Sequence, residues 1–407
     1  MLMNILYLTI SDFSDLSKRG IYTDLIREFL AQGHKISIIT PSERRYGKPT
    51  QLLSNDGCTT LRLKTGNLFG TNLVEKGLSN LLLEWQYKRA IQRFFGDIKF
   101  DLVLYASPPV TFAKVIEYVK RRDGAKSYLM LKDIFPQNAI DVGLLKKTGW
   151  KNFLYRFFRN KEKKFYEVSD FIGCMSEANV RYLLNHNPEI DSQRVEVCPN
   201  SIAPIERADV DCSVIYQKYK LPSDKTLFVY GGNFGLPQGV DFIIEALRAN
   251  KDRTDAHFVL CGKGTEFYKV QRFVDLENPS AVTLLSHLPK DEYDQLISVG
   301  DVGLIFLDHR FTIPNFPSRL ISYLENRMPV LVASDINTDV GQVVTEGGFG
   351  WGCESNDVVA FTNLVDKFCK NKENLSKMGQ KARLYLEEHY TVAKQYETIL
   401  SKMKNTA

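Results

Sequence analysis

The sequence predicts two α/β domains in tandem, each a parallel sheet covered by helices, and three observations carry that prediction. At 407 residues the chain exceeds what one ordinary hydrophobic core accommodates. Short apolar runs alternate with helical patterns along its whole length, which is the signature of strand, crossover helix and parallel strand. The alternation restarts after Asn200-Ser201-Ile202-Ala203-Pro204, a polar, proline-marked stretch followed by the charged segment from Glu206 to Lys220. The predicted domains are therefore 1–202 and 203–388, with a last helix over 389–407 expected to pack back on the first.

In the first half, the apolar run from Ile5 to Ile10 leads through a polar loop to a helix from about Gly20 to Ala31. Gly33 stands where a glycine ends a helix, and Lys35 to Thr40 begins the next strand. Further strands are expected at 102–105, 128–131 and 171–174, with helices at 81–95 and 112–122. The second half gives strands at 227–230, 258–261, 282–285, 302–306 and 330–333. Helices fall at 240–249, 266–274, 291–299 and 318–325, followed by three terminal ones at 358–369, 375–388 and 391–403.

Composition narrows the class. Hydrophobic residues make up 44% and charged residues 25%, an ordinary globular balance, and no run approaches a membrane-spanning helix. The start Met1-Leu2-Met3-Asn4 enters a strand without a basic leader, so a cytoplasmic chain is expected. Seven scattered cysteines form no CxxC pair, which suggests neither a disulfide framework nor a zinc site. A net charge of +5 does not point to nucleic acid as partner.

Ligands of open α/β sheets bind beyond the carboxyl ends of strands. The loop Tyr230-Gly231-Gly232-Asn233-Phe234-Gly235-Leu236-Pro237-Gln238-Gly239 follows an apolar strand and precedes a helix. Its glycines let backbone approach a ligand, and the helix start offers N–H groups to a phosphate; a tight turn would use the same residues. A second segment, 312–325, holds Asn315, Ser318 and Arg319. Ser318 can cap the helix, while Arg319 in the first turn is electrostatically wrong there unless an anion lies nearby. The stretch 335–341 ends another strand, and its Asn, Thr and Asp serve either sugar hydroxyls or a helix cap.

The order of these segments resembles glycosyltransferase family 4, retaining enzymes of GT-B fold with two Rossmann-like domains. The matching elements are Gly20 with Gln32-Gly33-His34-Lys35-Ile36, Met175-Ser176-Glu177-Ala178, Cys198-Pro199-Asn200-Ser201, Leu260-Cys261-Gly262-Lys263-Gly264, Leu288-Pro289 before Gly300-Asp301-Val302, and Arg327-Met328-Pro329-Val330. Within the family, Leu131-Lys132-Asp133-Ile134-Phe135-Pro136, the glycine loop and 315–320 are similar to enzymes of capsule and lipopolysaccharide (O-antigen) assembly. The resemblance implies a UDP-sugar donor held near Gly20, Gly232, Asn233, Gly235, Gly262, Asn315, Ser318, Ser322 and Glu325. It implies catalytic roles for Arg319, at the diphosphate, and for Asp133, which would orient or deprotonate the acceptor hydroxyl or else cap the next turn.

Departures are equally informative. The family's basic pair aligns with Asn233 and Gln238, and its paired glutamates align with Pro314 and Ser322. Ser322 or Glu325 would then have to meet the ribose, and Asp308 the sugar. No DxD-type pair stands out, since Asp335 and Asp339 are too far apart, so neither metal nor other cofactor is expected.

From Lys146 to Lys164 eight basic residues face one acidic, and Trp150, Phe153, Leu154, Phe157 and Phe158 share one helical face. Such a helix either rests on an anionic membrane surface or packs its aromatic face inward. The implied activity is sugar transfer to a lipid-diphosphate-linked saccharide by an enzyme peripheral to the inner membrane face. The rival readings are a UDP-sugar 2-epimerase of the same fold and a non-catalytic nucleotide-sugar-binding partner.

Overall fold

The computed structural model describes residues 2–13, 15–71, 73–149, 151–206 and 211–404. It divides into two compact units, Met1–Ala203 with Thr391–Ala407, and Pro204–Tyr390.

Unit 1 runs β1 (Asn4–Leu8), α1 (Ile21–Ala31), β2 (Lys35–Glu43), β3 (Gln51–Asn55), β4 (Cys58–Thr65), α2 (Leu73–Phe94), β5 (Leu102–Ser107), α3 (Ala113–Asp123), β6 (Lys126–Leu131), α4 (Gln137–Asp141), α5 (Lys151–Val168), β7 (Phe171–Cys174), α6 (Glu177–His186) and β8 (Val195–Val197). Its strands order as β3-β4-β2-β1-β5-β6-β7-β8, parallel except for β3 against β4. The central strands are buried on both faces, as the unbroken apolar runs require. Gly33 ends α1 at φ +86, a left-handed position that favours glycine.

Unit 2 runs α7 (Cys212–Tyr219), β9 (Thr226–Asn233), α8 (Val240–Ala249), β10 (Ala256–Lys263), α9 (Phe267–Glu277), β11 (Val282–Ser286), α10 (Lys290–Ser298), β12 (Val302–Phe306), α11 (Arg319–Glu325), β13 (Val330–Ser334), α12 (Val340–Glu346), β14 (Gly350–Glu354), α13 (Val358–Lys370) and α14 (Leu375–His389). Its sheet orders β11-β10-β9-β12-β13-β14, all parallel. The last helix, α15 (Val392–Lys404), belongs to unit 1, where the Tyr396 ring packs on Phe29 at 4.9 Å and its hydroxyl meets His34 Nε2 at 2.9 Å.

Two expectations are corrected. Helix α5 starts at Lys151, so Lys146 and Lys147 precede it, and Trp150 lies outside the described residues. The aromatic stripe also divides: Phe158 packs edge-on to Phe135 at 5.0 Å, whereas Phe153 is 75% exposed.

Candidate functional site

In unit 2 the chain leaves β9 toward β10 on one side, while β12 lies on the other, so the topological switch falls between β9 and β12. These two strands pair only at Val302 with Phe228 and Gly303 with Val229. Beyond that Tyr323 wedges between them, its hydroxyl 3.1 Å from the Val229 carbonyl and 2.9 Å from that of Leu304. The glycine loop and α11 both border this widened edge.

Packing dictates much of the loop's glycine content. A Cβ on Gly262 would strike the carbonyl of Gly232, its neighbour in parallel register. A Cβ on Gly231 would intrude on the Tyr293 ring, and one on Gly232, at φ +147, would meet the Arg319 guanidinium. Gly235 has extended backbone and sits against the Asn233 amide. The two positions that depart from the basic pair bond each other: Asn233 Nδ2 donates to Gln238 Oε1 at 2.8 Å, and that oxygen also accepts the Gly235 N–H at 3.2 Å. A neutral pair thus closes a loop that two cations would push apart.

Arg319, at the first position of α11, stacks its guanidinium 4.2 Å from the centroid of Tyr230. Among the described residues no carboxylate lies in ion-pair reach of it; its close neighbours are the phenols of Tyr230, Tyr323 and Tyr293. The Tyr293 hydroxyl is buried without a hydrogen-bond partner, and burial pushes its pKa up to about 12. The Asn315 side-chain nitrogen is likewise buried and unpartnered. Buried polar groups are normally satisfied, so the unpartnered Tyr293 phenol beside a guanidinium that has no carboxylate partner among the described residues marks this strand edge as suited to an anionic acceptor.

Other candidates are already engaged. Ser318 has helical dihedrals and its side chain caps nothing, contrary to the expected N-cap. Both Asp308 oxygens are held by Arg310, at 2.8 and 2.7 Å. Burial alone would raise this carboxyl, but Arg310 holds it below its ordinary pKa. Glu325 accepts the Ile205 N–H at 3.0 Å, on the segment entering the unit, while Ser322 sits half-buried one turn beyond Arg319. The 335–339 stretch braces its neighbour: Asp335 accepts from the Asn337 and Thr338 N–H groups, Asn337 donates to the Phe311 carbonyl at 2.6 Å, and Thr338 to that of Asn315 at 2.6 Å.

In unit 1 the switch lies between β1 and β5. Gly20 has φ 172, open to any residue, and its N–H donates to Asp24 Oδ1 at 3.0 Å. Asp24 also accepts the Ala203 N–H at 3.0 Å, so the loop is tied within its own unit. Asp133 follows β6. Its Oδ1 accepts from Asn138 at 2.7 Å, and burial outweighs this bond and the Ile134 N–H to push its carboxyl up to about 6. Tyr22, opening α1, is raised to about 12 by burial and by the charge of Asp133. Sequence reasoning missed Lys132, whose ammonium reaches the Cys198 carbonyl at 3.2 Å and is pushed down to about 8 by burial. It also missed Tyr293. The structure thus gathers Gly232, Asn233, Gly235, Gly262 and Arg319 at one edge of unit 2, with Tyr293 added, and places Asp133 and Gly20 in unit 1.

The family model for Glycosyltransferase Family 4 matches residues 21–204, and that for Glycosyl transferases group 1 matches 213–385. A probable glycosyltransferase of Pseudomonas aeruginosa, WbjE, is 25% identical over 322 residues, covering 77% of this chain and 78% of its own. A putative colanic acid biosynthesis glycosyl transferase of Escherichia coli K12, WcaI, is 23% identical over 412 residues, covering 97% and 95%. Among solved structures, HepE of Anabaena in complex with UDP-glucose superposes with a TM-score of 0.69 at 13% identity, over 99% of this chain and 100% of its own. With the two domain models lying head to tail, the chain is a glycosyltransferase of GT-B fold that carries a family 4 domain in its first unit and a group 1 glycosyl transferase domain in its second.

Proposed function

We propose that the enzyme transfers a sugar, with retention of anomeric configuration, from a UDP-sugar to a hydroxyl of a lipid-diphosphate-linked saccharide at the cytoplasmic face of the membrane. The observation that carries the donor half is Arg319: a guanidinium with no carboxylate partner among the described residues, packed on Tyr230 and beneath Gly232 at the switch edge. The diphosphate supplies the missing acceptors, for Arg319 and for the orphaned donors of Tyr293 and Asn315. Gly232, Asn233 and Gly235 bring backbone close to it, and Ser322 faces the ribose. This account needs no cation, since charge on the leaving diphosphate is met by fixed donors. The complex of HepE with UDP-glucose is in keeping with that donor class.

Asp133 serves the acceptor hydroxyl. A carboxyl near 6 is mostly ionised at neutral pH yet more basic than an ordinary carboxylate, which suits proton removal. The region Lys146–Lys164 faces the membrane that carries the acceptor. WcaI, named for colanic acid synthesis, supports a saccharide acceptor of this class.

The test is thermal stabilisation by a panel of nucleotide-sugars, because a ligand that binds only the folded state raises its midpoint. UDP-sugars are expected to raise it and GDP-, ADP- and CMP-sugars to leave it. A protein stabilised by none of the UDP-sugars, or equally by all four nucleotides, would overturn the donor assignment.

A further inference from the structure

Helix α2 presents an apolar stripe to solvent. Leu78, Leu81, Leu82 and Trp85 fall at i, i+3, i+4 and i+7, one helical face, and are 58%, 49%, 54% and 59% exposed. The opposite face fixes the helix against rolling. Leu83, Tyr87, Ala90 and Ile91 are buried, the Tyr87 hydroxyl donates to the Thr9 carbonyl at 2.7 Å, and its ring lies 4.8 Å from Phe112. The stripe therefore cannot be hidden by rotation. Contiguous exposed apolar patches are uncommon on proteins that face only water and mark a surface that is covered in use.

Charge identifies the cover. Unit 1 carries 33 Lys and Arg against 22 Asp and Glu, net +11, whereas unit 2 carries 20 against 26, net −6. Most of that excess sits on the layer holding the stripe: α2, α3 and α5 together have 14 basic and 6 acidic residues, net +8. Lys161 of α5 approaches Glu84 of α2 at 3.5 Å, and Lys88 of α2 lies 5.1 Å from the Tyr118 ring of α3, so the three helices form one surface. On α2 itself, Arg89 stacks 5.3 Å from the centroid of Trp85, and Arg89 and Arg93 are exposed further along the same helix. A second copy of this chain docking face to face would set +8 against +8. An anionic bilayer offers both apolar depth for the leucines and opposite charge for the surrounding cations. Trp85 with Arg89 has the amphipathic character of residues that sit at the headgroup level.

We propose that the stripe Leu78, Leu81, Leu82 and Trp85 seats unit 1 on an anionic lipid bilayer, with the cations of α2, α3 and α5 around it contacting headgroups. This rests on the membrane-facing part of the function proposed above but places the inserting contact on α2, not on the region 146–164.

The test is co-sedimentation of the full chain with phosphatidylcholine vesicles containing about one quarter phosphatidylglycerol, against vesicles of phosphatidylcholine alone. The unsubstituted protein should sediment with the anionic vesicles and release at high salt. The combined substitution Leu78→Ser, Leu82→Ser and Trp85→Ser should weaken binding about tenfold or more. Its UDP stabilisation and circular dichroism should be unchanged. If that combination does not fold, Leu82→Glu alone supplies the measurement. Failure of the unsubstituted protein to bind either vesicle overturns the membrane reading as a whole. Binding that survives the α2 changes but is lost in Phe153→Ser overturns only the assignment to α2. A dimer in sedimentation that the α2 changes convert to monomer, with vesicle binding retained, also overturns it.

Discussion

Replacing Arg319 by alanine separates a binding role from a structural one, because the structure gives the guanidinium little to hold within its own unit. It has no carboxylate partner among the described residues, and its main contact is the face of Tyr230 at 4.2 Å. Losing that cation–π contact costs about 0.5–2 kcal/mol. Removing a cation from the first turn of α11 returns about 0.3–1 kcal/mol. Net stability should fall by no more than about 1.7 kcal/mol. Binding should change far more: a hydrogen bond to a charged group contributes about 1.5–3 kcal/mol, so UDP affinity should fall roughly 10- to 150-fold. Arg319→Lys should fall between, keeping charge but not the fork. Isothermal titration with UDP measures the first quantity and thermal unfolding of the ligand-free protein the second. A geometric control accompanies them. Gly232→Ala should be less damaging in the Arg319→Ala background than alone, since its Cβ would otherwise meet the guanidinium. UDP affinity unchanged in Arg319→Ala, or a large loss of stability with binding intact, would refute the reasoning.

Tyr293→Phe removes a buried hydroxyl that has no partner, so the ligand-free protein should be as stable or more so, while UDP binding weakens about 2- to 10-fold by titration. Gly262→Ala puts a Cβ on the Gly232 carbonyl and should lower stability by about 1–3 kcal/mol in denaturant unfolding, with nucleotide binding lost in step. Asp133 governs a pH effect whose sign is fixed by its raised carboxyl. Between the usual value of 3.8 and about 6 the unfolded chain ionises while the folded protein keeps the proton, so this group's contribution to stability declines as pH rises across that window. Unfolding midpoints of Asp133→Asn against the unsubstituted protein should converge at low pH and favour the variant above 6. Transfer rates should show a rising limb near the same pH that Asp133→Asn abolishes.

The parallel cores were legible because their strands are apolar on both faces; the rest was hidden for identifiable reasons. Strand β3 is exposed at all five residues and β14 reads Gly-Trp-Gly-Cys-Glu, so neither has an apolar run, although Asp56-Gly57 is a turn signal between β3 and β4. Helix α2 begins at Leu73, eight residues before the periodicity suggests, because it carries large apolar residues on its exposed face as well as its buried one. At the site, Arg319 was legible as a charge misplaced at a helix start. Tyr293 was not, since on α10 it looks like any inward residue of an amphipathic helix. The engagement of Asp308 by Arg310 and of Glu325 by the Ile205 N–H depends on contacts that spacing does not encode.

The central claim is transfer from a UDP-sugar to a lipid-linked saccharide, and release of UDP tests it most directly. The purified enzyme, given the UDP-sugar that stabilises it best, should release UDP only when membranes carrying lipid-diphosphate-linked saccharide are added. The sugar should appear in the lipid fraction, and Arg319→Ala should abolish both. Conversion of the UDP-sugar to an epimer without any acceptor, or tight binding with no UDP released under either condition, would contradict the account.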